Sequence, residues 1–527
     1  MLSRRDFLLL AGAALLPPAP RARAGAARVT FPSYQGMNYA WGRDARGVST
    51  FHAWLNEAYD PAVFAADLDL MAAMGVRTVG LWIWLDRMIV KDGLWGTPGY
   101  VPRFDPQGVA HWEDALGKMR ARGMAAVVNL LQRSDPSGYV PARFSFETAA
   151  LLPVPLERAL LGPSAGNGDM NRGDGPLPEG WTANGQGKAE WLPAGVGPTP
   201  GSRCLRLTAG AGGAMRVYTP RVTVGMGQLL AIHVPVKGAI QEVLVEYFGA
   251  SGALLDYDLW WVGHDFGDAW TPLALCSRLG NLPPGVTQIG LQVVTTGVGC
   301  VGPVQINHGR RDARWHNYMS VVRAWVGRYG SGTRWGSAVA GWQAIKEGYA
   351  GMRWGDWGGW IPLGVMYDFY HDFYAAVRGA GTRQPVGMDS IATVSSILEM
   401  DKAGTLVNLS WYRDVADFYN IHLYNDAGAV PSQAARLDKP WIIGEAGASE
   451  QGLHYGDPRY ETPALAAFLA NGWRLGARAT LPWSFTDSKA LVRFENGRPE
   501  LGPSGRMLAA RQEKDLPLLH KGAKERR

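Results

Sequence analysis

One stretch of the sequence, residues 439–447 (KPWIIGEAG), constrains the fold more than any other. Its segment 441–444, with large apolar residues at 441–443, is typical of a strand that is buried on both faces, as in a parallel sheet. The run ends in Glu445, which a small residue and a glycine follow. An ionisable side chain at the carboxyl end of a buried strand is costly unless it makes a salt bridge or performs chemistry. The sequence therefore predicts an α/β fold in which Glu445 has one of these two roles.

Seven further apolar segments share this character and alternate with amphipathic helices. Together with 441–444, the predicted strands are 34–39, 78–84, 124–131, 339–344, 385–388, 418–423 and 480–483. One predicted helix begins after Asp60. The others cover 109–122, 312–330, 362–378, 463–475 and 504–512, with one more near 432–437. Eight strands separated by helices are the count of a (β/α)8 TIM barrel. A doubly wound open sheet is the rival, but no glycine-rich phosphate loop follows the first strand.

The barrel pattern is interrupted in the middle of the chain. Residues 136–164 read as a connecting loop, and 165–308 change to period-two segments separated by Gly-rich turns. The segments are 204–207, 215–218, 229–236, 242–248, 270–276 and 287–295, and the region should end near 304–306. This spacing predicts a β-sandwich. We expect it to be a domain inserted between strand 3 and its helix, which divides the barrel into parts 28–135 and 309–515.

The two ends of the chain have compositions of their own. Residues 1–24 contain the Arg4-Arg5 pair, an apolar run and an Ala-Arg-Ala site, as in a twin-arginine signal peptide. We therefore expect a periplasmic or secreted protein without a membrane anchor after signal cleavage. Removing these residues takes the formal net charge from +6 to +3, because they hold four Arg and one Asp. With no basic run before the tail 516–527, a nucleic-acid partner is not expected.

The positions of the cysteines and the number of tryptophans limit which kinds of site we expect. Cys204, Cys276 and Cys300 all lie in the central segment and lack the spacing of metal ligands. One disulfide among them and three buried thiols are both compatible with this pattern. We expect no cofactor and no metal. The 22 Trp suit both core packing and the stacking of sugar faces on flat rings.

The candidate site residues lie at the carboxyl ends of the predicted barrel strands, which converge on one cavity. Strand 4 leads to a second carboxylate, Glu347, opposite Glu445. Two carboxylates in one cavity suit glycoside cleavage, in which one donates a proton and the other attacks the anomeric carbon. The further candidates, for substrate binding, are His422, Tyr424, Trp483, Asn38, Trp41, Lys346 and Trp84.

These motifs resemble those of the retaining glycoside hydrolases of clan A, most closely the family 5 cellulase type. The resemblance covers roughly residues 30–135 and 310–515. It rests on 439–447 as the strand 7 motif, 417–424 (DFYNIHLY) as the strand 6 motif and Trp483 as the strand 8 tryptophan under the sugar. It implies that Glu445 is the nucleophile, Glu347 the acid/base and Tyr424 a hydrogen-bond partner of the nucleophile.

The sequence departs from that family at several positions. Lys346 stands where the family has an Asn before the acid/base, the Arg of strand 2 is absent, and strand 3 ends without the usual His. The departures leave two other hypotheses open: a non-catalytic glycan-binding protein with a degenerate barrel, and a transglycosylase of envelope glycans. The sugar and its linkage are not readable from the sequence, and we expect a monomer.

The inserted segment resembles a carbohydrate-binding jelly roll. The resemblance rests on 167–181, which looks like the first strand of such modules. A stacking platform would come from Trp260 and Trp261, or from Trp270. The alternative is that the sandwich is a structural spacer.

Overall fold

We analysed a computed structural model of the chain. It describes residues 29–40, 42–43, 49–50, 59–83, 85, 88–90, 92, 94–131, 152–163, 165–278, 282, 284–345, 353–354, 359–360, 363–388, 415–437, 439–448, 454–485, 488–495 and 498–511.

Eight parallel strands form a barrel in chain order. They are β1 (Gly36–Tyr39), β2 (Thr78–Trp82), β3 (Ala125–Leu131), β4 (Val339–Ile345), β5 (Val386–Met388), β6 (Phe418–Tyr424), β7 (Trp441–Gly447) and β8 (Thr480–Pro482). The last strand returns to the first: Gln35 and Thr480 form a parallel bridge, and the amide of Thr480 donates to the Tyr34 carbonyl at 2.7 Å. The eight strands and the parallel α/β fold predicted from the sequence are confirmed.

Helices separate most of these strands. They are α1 (Pro61–Ala73), α2 (Pro106–Ala121), α3 (Ala313–Tyr329), α4 (Leu363–Gly379) and α5 (Pro458–Leu475), with 3-10 turns at Gly336–Ala338 and Ser432–Arg436 and a last helix over 503–511. An aspartate caps α1, α2 and α5 and a proline follows it at the first helical position. The predicted start of α5 at Pro463 is wrong, because Asp457 and Pro458 begin the helix one turn earlier.

The barrel interior changes from apolar to polar toward the carboxyl ends of the strands. A first cluster fills the amino-terminal part with Ala125, Val127, Phe418, Ile442 and Leu481, among others. Above it lie buried amides of four strands: Asn38, Asn129, Gln343 and Asn420. A last cluster of Ala40, Trp82 and Trp483 lies at the carboxyl end. The polar groups therefore lie between a packed base and an aromatic rim.

Twelve antiparallel strands occupy the sequence between β3 and α3. They are Val154–Leu161, Thr182–Gly185, Gly187–Leu192, Cys204–Ala209, Met215–Tyr218, Val222–Thr223, Leu230–Gly249, Leu254–Asp265, Thr271–Cys276, Val286–Thr295, Val298–Val301 and Gln305–Arg310. Short two-stranded pairs elsewhere join Gly42–Arg43 to Ser49–Thr50, Arg353–Trp354 to Gly359–Trp360, and Val492–Glu495 to Arg498–Leu501.

One long strand, Leu230–Gly249, links the two halves of this sandwich-like sheet. Its first part pairs with Thr271–Cys276 and Gln305–Arg310, and its second part pairs with Leu254–Asp265 and Val286–Thr295. The transition lies near Gly238, whose φ of 77° only glycine adopts readily. Two strands were predicted here; the observed strand is continuous because the chain bends at this glycine without ending.

One further prediction for this region is wrong, and several of its strands were not predicted. Val154–Leu161 lies in the predicted connecting loop but is a strand, since it pairs with the last strand, Gln305–Arg310. Leu254–Asp265 was not predicted as a strand at all. Its acidic residues Asp256 and Asp258 break the apolar pattern, and Arg278 compensates their charge from outside the strand.

A buried ion pair connects the sandwich to the barrel. Arg311 follows the last sandwich strand, and its Nη2 lies 3.1 Å from the Asp368 carboxylate on α4. The same guanidinium lies over the Trp315 ring of α3, 3.9 Å from its centroid. One apolar cluster also runs through both parts of the molecule. The sandwich is thus packed against the barrel helices by both apolar and charged contacts.

Candidate active site

Glu445 lies at the carboxyl end of β7 with its side chain almost fully buried. The Tyr424 hydroxyl donates to Glu445 Oε2 at 2.5 Å, and Nδ1 of His422 lies 3.3 Å from the same oxygen. Both partners come from β6, the neighbouring strand, where His422 is in register with Glu445. The structure therefore brings together three residues that the sequence predicted as site residues, and it fixes the orientation of the carboxylate.

A β-bulge at Gly444 is what turns Glu445 into the barrel. On β6 the residues Phe418 and Asn420 face the interior, and on β7 the interior residue in register with Asn420 is Ile442. Strict alternation would then point residue 444 inward and residue 445 outward. Instead the register shifts by one, so that Glu445 pairs with His422. Bulges next to active sites commonly redirect a side chain in this way.

The bulge requires glycine at position 444. A Cβ there would lie 1.6 Å from Oδ1 of Asn420, which is far inside the contact distance. Asn38 holds the bulge from the other side, because its Nδ2 donates to the carbonyls of Gly444 at 2.6 Å and Leu481 at 3.1 Å. Asn38 was predicted to bind substrate; its amide nitrogen instead braces β1 against β7 and β8.

Two tryptophans form one wall of the site. Trp483 follows β8 and packs on Trp82 of β2, with ring centroids 5.1 Å apart. Trp82 is buried, whereas Trp483 is partly exposed. The amide of Trp483 donates to the Ala446 carbonyl at 2.9 Å, which ties this wall to the strand that carries Glu445. A flat, partly exposed ring beside a carboxylate is suited to a sugar face.

A second buried carboxylate supports the loops around the site. Glu461, in the first turn of α5, accepts hydrogen bonds from the Gly456 amide at 2.6 Å and from the Ser488 hydroxyl. Gly456 belongs to the loop after β7 and Ser488 to the segment after β8, next to Trp483. Burial raises the pKa of Glu461 to about 7. This residue was not predicted, because only the folded chain brings these segments together.

The remaining predicted site residues lie outside the described residues. They are Glu347, Lys346, Trp41 and Trp84, and the same holds for the signal segment 1–24 and the tail 516–527. Trp82 was not predicted as a site residue, because the predicted strand 2 ran to residue 84, whereas the observed strand ends at Trp82. The alternation from Gly80 to Trp82 would have indicated that Trp82 shares the interior face of Asn38 and Gly80.

The structure limits which tryptophans of the sandwich could form the predicted stacking platform. Trp260 is only 1% exposed and belongs to the main apolar cluster, so its face is not available for stacking. Trp270 is partly exposed, and the side chain of Trp261 lies outside the described set.

The three cysteines are all free thiols, with Cys204 and Cys276 buried and Cys300 partly exposed.

Two searches of the described part of the chain gave no candidate. It contains no group of three or more His, Cys, Asp or Glu side chains that could hold a metal ion. Its helices include none that is long and apolar enough to cross a membrane.

Comparison with known proteins gives distant structural likenesses. The chain matches no protein-family model, and no curated protein matches it. The hyperthermophilic β-glucosidase from Pyrococcus furiosus is 10% identical over 92% of this chain and 95% of its own, with a TM-score of 0.42. The CBM22-1 xylan-binding domain from Paenibacillus barcinonensis is 17% identical over 30% of this chain and 98% of its own, with a TM-score of 0.22.

A third likeness is to the enzymatically active domain of tailspike protein 4 of bacteriophage CBA120. It is 14% identical over 28% of this chain, with a TM-score of 0.24, and the match spans only 21% of the tailspike chain. At these levels of similarity, the function of the chain has to be inferred from the geometry of its own site.

Proposed function

We propose that this protein is a glycoside hydrolase that cleaves β-glycosidic bonds of a poly- or oligosaccharide with retention of configuration. One observation carries the proposal: the Glu445 carboxylate, buried at the end of a barrel strand, is oriented by Tyr424 and His422 beside the Trp82–Trp483 wall. The resemblance of the strand 6 and strand 7 motifs to clan A glycosidases of the family 5 type supports the same assignment.

In this mechanism Glu445 is the nucleophile. It attacks the anomeric carbon and forms a covalent glycosyl-enzyme, while Glu347 gives its proton to the leaving oxygen. Glu347 then takes a proton from water, and the water oxygen replaces Glu445 at the anomeric carbon. A fixed carboxylate reduces the reorganisation needed for attack, which is the contribution of Tyr424 and His422.

The aromatic wall and the neighbouring polar residues would bind the substrate. Trp483 offers a partly exposed face on which the sugar at the cleavage point stacks. Lys346, next to Glu347 in the sequence, brings a cation to the leaving-group side and favours an acidic or otherwise unusual sugar. Trp41 and Trp84 are proposed to extend this binding surface.

The other parts of the chain have proposed roles as well. The sandwich is proposed to be a domain inserted between β3 and α3; because loops after barrel strands lie on the catalytic face, it lies beside the site. It serves as a carbohydrate-binding module or as a spacer. Residues 1–24 are proposed to direct export by the twin-arginine route to the periplasm or beyond, and the mature protein is proposed to act as a monomer.

A glycan-panel screen on the mature protein tests the proposal. Wild type, Glu445→Gln and Glu347→Gln are compared on β-linked poly- and oligosaccharides, and circular dichroism checks that each variant is folded. We expect turnover of at least one substrate by wild type and its loss in both variants. Tight glycan binding without turnover would instead favour the glycan-binding alternative, and transfer to added acceptor sugars would favour the transglycosylase.

A further inference from the structure

A row of four directly paired residues crosses one face of the sandwich. Cys300 is opposite Lys237 on one side and opposite Arg206 on the other. Arg206 in turn is opposite Glu190, and its Nη2 lies 3.2 Å from the Glu190 carboxylate. Side chains of directly opposite residues share one face of a sheet, so Cys300 lies between two cations. It is partly exposed there.

Cys204 lies on the same face, one diagonal step from Cys300. It is the first residue of the strand Cys204–Ala209 and two positions from Arg206, the direct neighbour of Cys300. The preceding turn covers it, since its thiol donates to the Val196 carbonyl at 3.9 Å, and it is fully buried. The two thiols are close enough to influence each other's ionisation.

These contacts make the two thiols unequal. The neighbouring Cys204 thiol, together with the charges of Lys237 and Arg206, lowers the pKa of the Cys300 thiol to about 7. The interaction with Cys300, together with burial, raises the pKa of Cys204. A thiolate with a pKa near ambient pH is an efficient attacking group in thiol–disulfide exchange. Cys300 therefore has the features of an attacking thiol and Cys204 those of its resolving partner.

We propose that Cys300 and Cys204 form a thiol–disulfide exchange site that reacts with an anionic low-molecular-weight disulfide, such as oxidised glutathione. Lys237 and Arg206 attract the carboxylates of the reagent to Cys300. The product is a disulfide that links the strands Cys204–Ala209 and Val298–Val301. Cys276, buried on another strand, takes no part.

The two steps of the exchange balance without any further oxidant. The Cys300 thiolate attacks one sulfur of the reagent, so a Cys300–glutathione disulfide forms and one glutathione thiolate leaves. Cys204 then loses its proton to solvent, and its sulfur attacks Cys300 Sγ and expels the second glutathione thiolate. Two protein thiols are oxidised, and one external disulfide is reduced to two thiols.

Closing the bond requires a small movement of Cys204. Diagonal neighbours in an antiparallel pair have Cα atoms ~7–8 Å apart, slightly more than the span of most disulfides. Cys204 begins its strand, so it can approach Cys300 by giving up its contact to Val196 and its end pairing with Leu192, without breaking either ladder beyond Leu205. Oxidation would therefore change the turn that precedes this strand.

Mass spectrometry of the full chain tests the site. Reduced protein, freed of reductant, is incubated with oxidised glutathione at pH 7, quenched with acid, capped with a maleimide and mapped by proteolysis. We expect a Cys204–Cys300 linked peptide with Cys276 capped. Glutathione should remain on Cys300 in Cys204→Ser, and no glutathione should be found on Cys300→Ser. Glutathione that persists on Cys300 in the wild type, or preferential reaction at Cys276, would overturn the proposal.

Two matched sets of variants keep the test independent of folding defects. Cys276→Ala removes a thiol outside the row and should leave the exchange unchanged. Lys237→Met and Arg206→Met keep both thiols and should slow alkylation of Cys300 by iodoacetamide at pH 7, together by on the order of tenfold. An unchanged rate in the double variant would contradict the role assigned to the two cations.

Discussion

Two of the protein's buried carboxylates, Glu445 and Asp258, each accept a hydrogen bond from a tyrosine, but their surroundings differ. In the barrel, Tyr424 donates to Glu445 at 2.5 Å. In the sandwich, Tyr247 donates to Asp258 at 2.6 Å. Asp258 also pairs with the guanidinium of Arg278 at 2.8 Å, and that guanidinium makes a further ion pair with Asp256. Glu445 instead lies near an imidazole and beside a partly exposed tryptophan.

The difference separates a stabilising carboxylate, Asp258, from Glu445, the carboxylate that we propose performs chemistry. Burial raises the pKa of Asp258, and Arg278 offsets this effect by supplying the opposite charge. Such a pair is expensive to break, because a single partner would remain charged and buried. Glu445 is placed by a bulge at the carboxyl end of a parallel strand, where barrel sites are built. Burial of a carboxylate alone is therefore no evidence for catalysis. Its position at the carboxyl end of a barrel strand is what supports a catalytic role.

The largest effect on stability should follow the loss of the charge of Asp258. Asp258→Asn leaves Arg278 buried without its main counter-ion, so the free energy of unfolding should fall by roughly 3–5 kcal/mol. Urea unfolding followed by tryptophan fluorescence measures it. Asp256→Asn is the matched control: it faces the same guanidinium but is more exposed, and should cost well under half as much. Activity per folded molecule should stay unchanged, and an equal loss in both variants would contradict this account.

Substitution of Gly444 should act on the site more than on the fold. In Gly444→Ala the new Cβ meets Asn420, so the bulge must shift and carry Glu445 with it. Displacements of about 1 Å in a catalytic group cost on the order of 100-fold in rate, and we expect at least that loss in kcat.

Gly327 provides the control for that substitution. It lies inside α3 with open space around the position of a Cβ. Gly327→Ala should raise the free energy of unfolding by about 0.5–1 kcal/mol through helix propensity and leave kcat unchanged. Wild-type kcat in Gly444→Ala would show that the bulge does not determine the position of the carboxylate.

Removing the hydroxyl of Tyr424 or Tyr247 should have a smaller effect, on kcat in the first case and on stability in the second. A hydrogen bond to a charged group is worth about 1.5–3 kcal/mol. Tyr424→Phe should therefore lower kcat roughly 10- to 100-fold with little change in stability. Tyr247→Phe should lower stability by a similar free energy with no change in kcat. If both variants lost only stability, Glu445 and Asp258 would belong to the same structural class.

The comparison also shows which parts of the site the sequence could predict. The apolar run of β7 is a local feature, so the strand was predicted correctly and Glu445 lies at its carboxyl end as expected, whereas its catalytic role stays a prediction. The bulge is not local: it depends on Asn420 and Asn38, side chains from two other strands that fill the space beside Gly444. No pattern within 439–447 reveals that residue 445 faces inward through a register shift.

In the sandwich, too, long-range contacts limited what the sequence could predict. The strand Leu254–Asp265 was missed because Asp256 and Asp258 look like turn residues, and their compensation by Arg278 comes from a separate strand end. The predicted break between 236 and 242 corresponds to Gly238, where a continuous strand passes from one half of the sandwich to the other. Local patterns located the strand around Gly238 but not Leu254–Asp265, and long-range contacts decided the bounds of both.

The last effect depends on pH and concerns Glu461. Its pKa is raised by burial from 4.5 to about 7, so between these values the folded protein holds a proton that the unfolded chain has released. The stability from this group is complete below pH 4.5 and is lost as the pH rises toward 7, by at most about 1.4 kcal/mol per pH unit. Glu461→Gln should remove this slope from unfolding curves recorded between pH 4.5 and 7. A slope that persists in the variant would assign it to another group.

Azide rescue of Glu445→Ala is the sharpest test of Glu445 as the nucleophile. The experiment uses an aryl glycoside of the sugar that the wild type cleaves, with and without sodium azide, and determines the product by NMR. The account predicts that the variant is inactive alone and that azide, occupying the space of the lost carboxylate, restores turnover to a glycosyl azide of inverted configuration. Undiminished hydrolysis by Glu445→Ala without azide would contradict the assignment of Glu445 as the nucleophile.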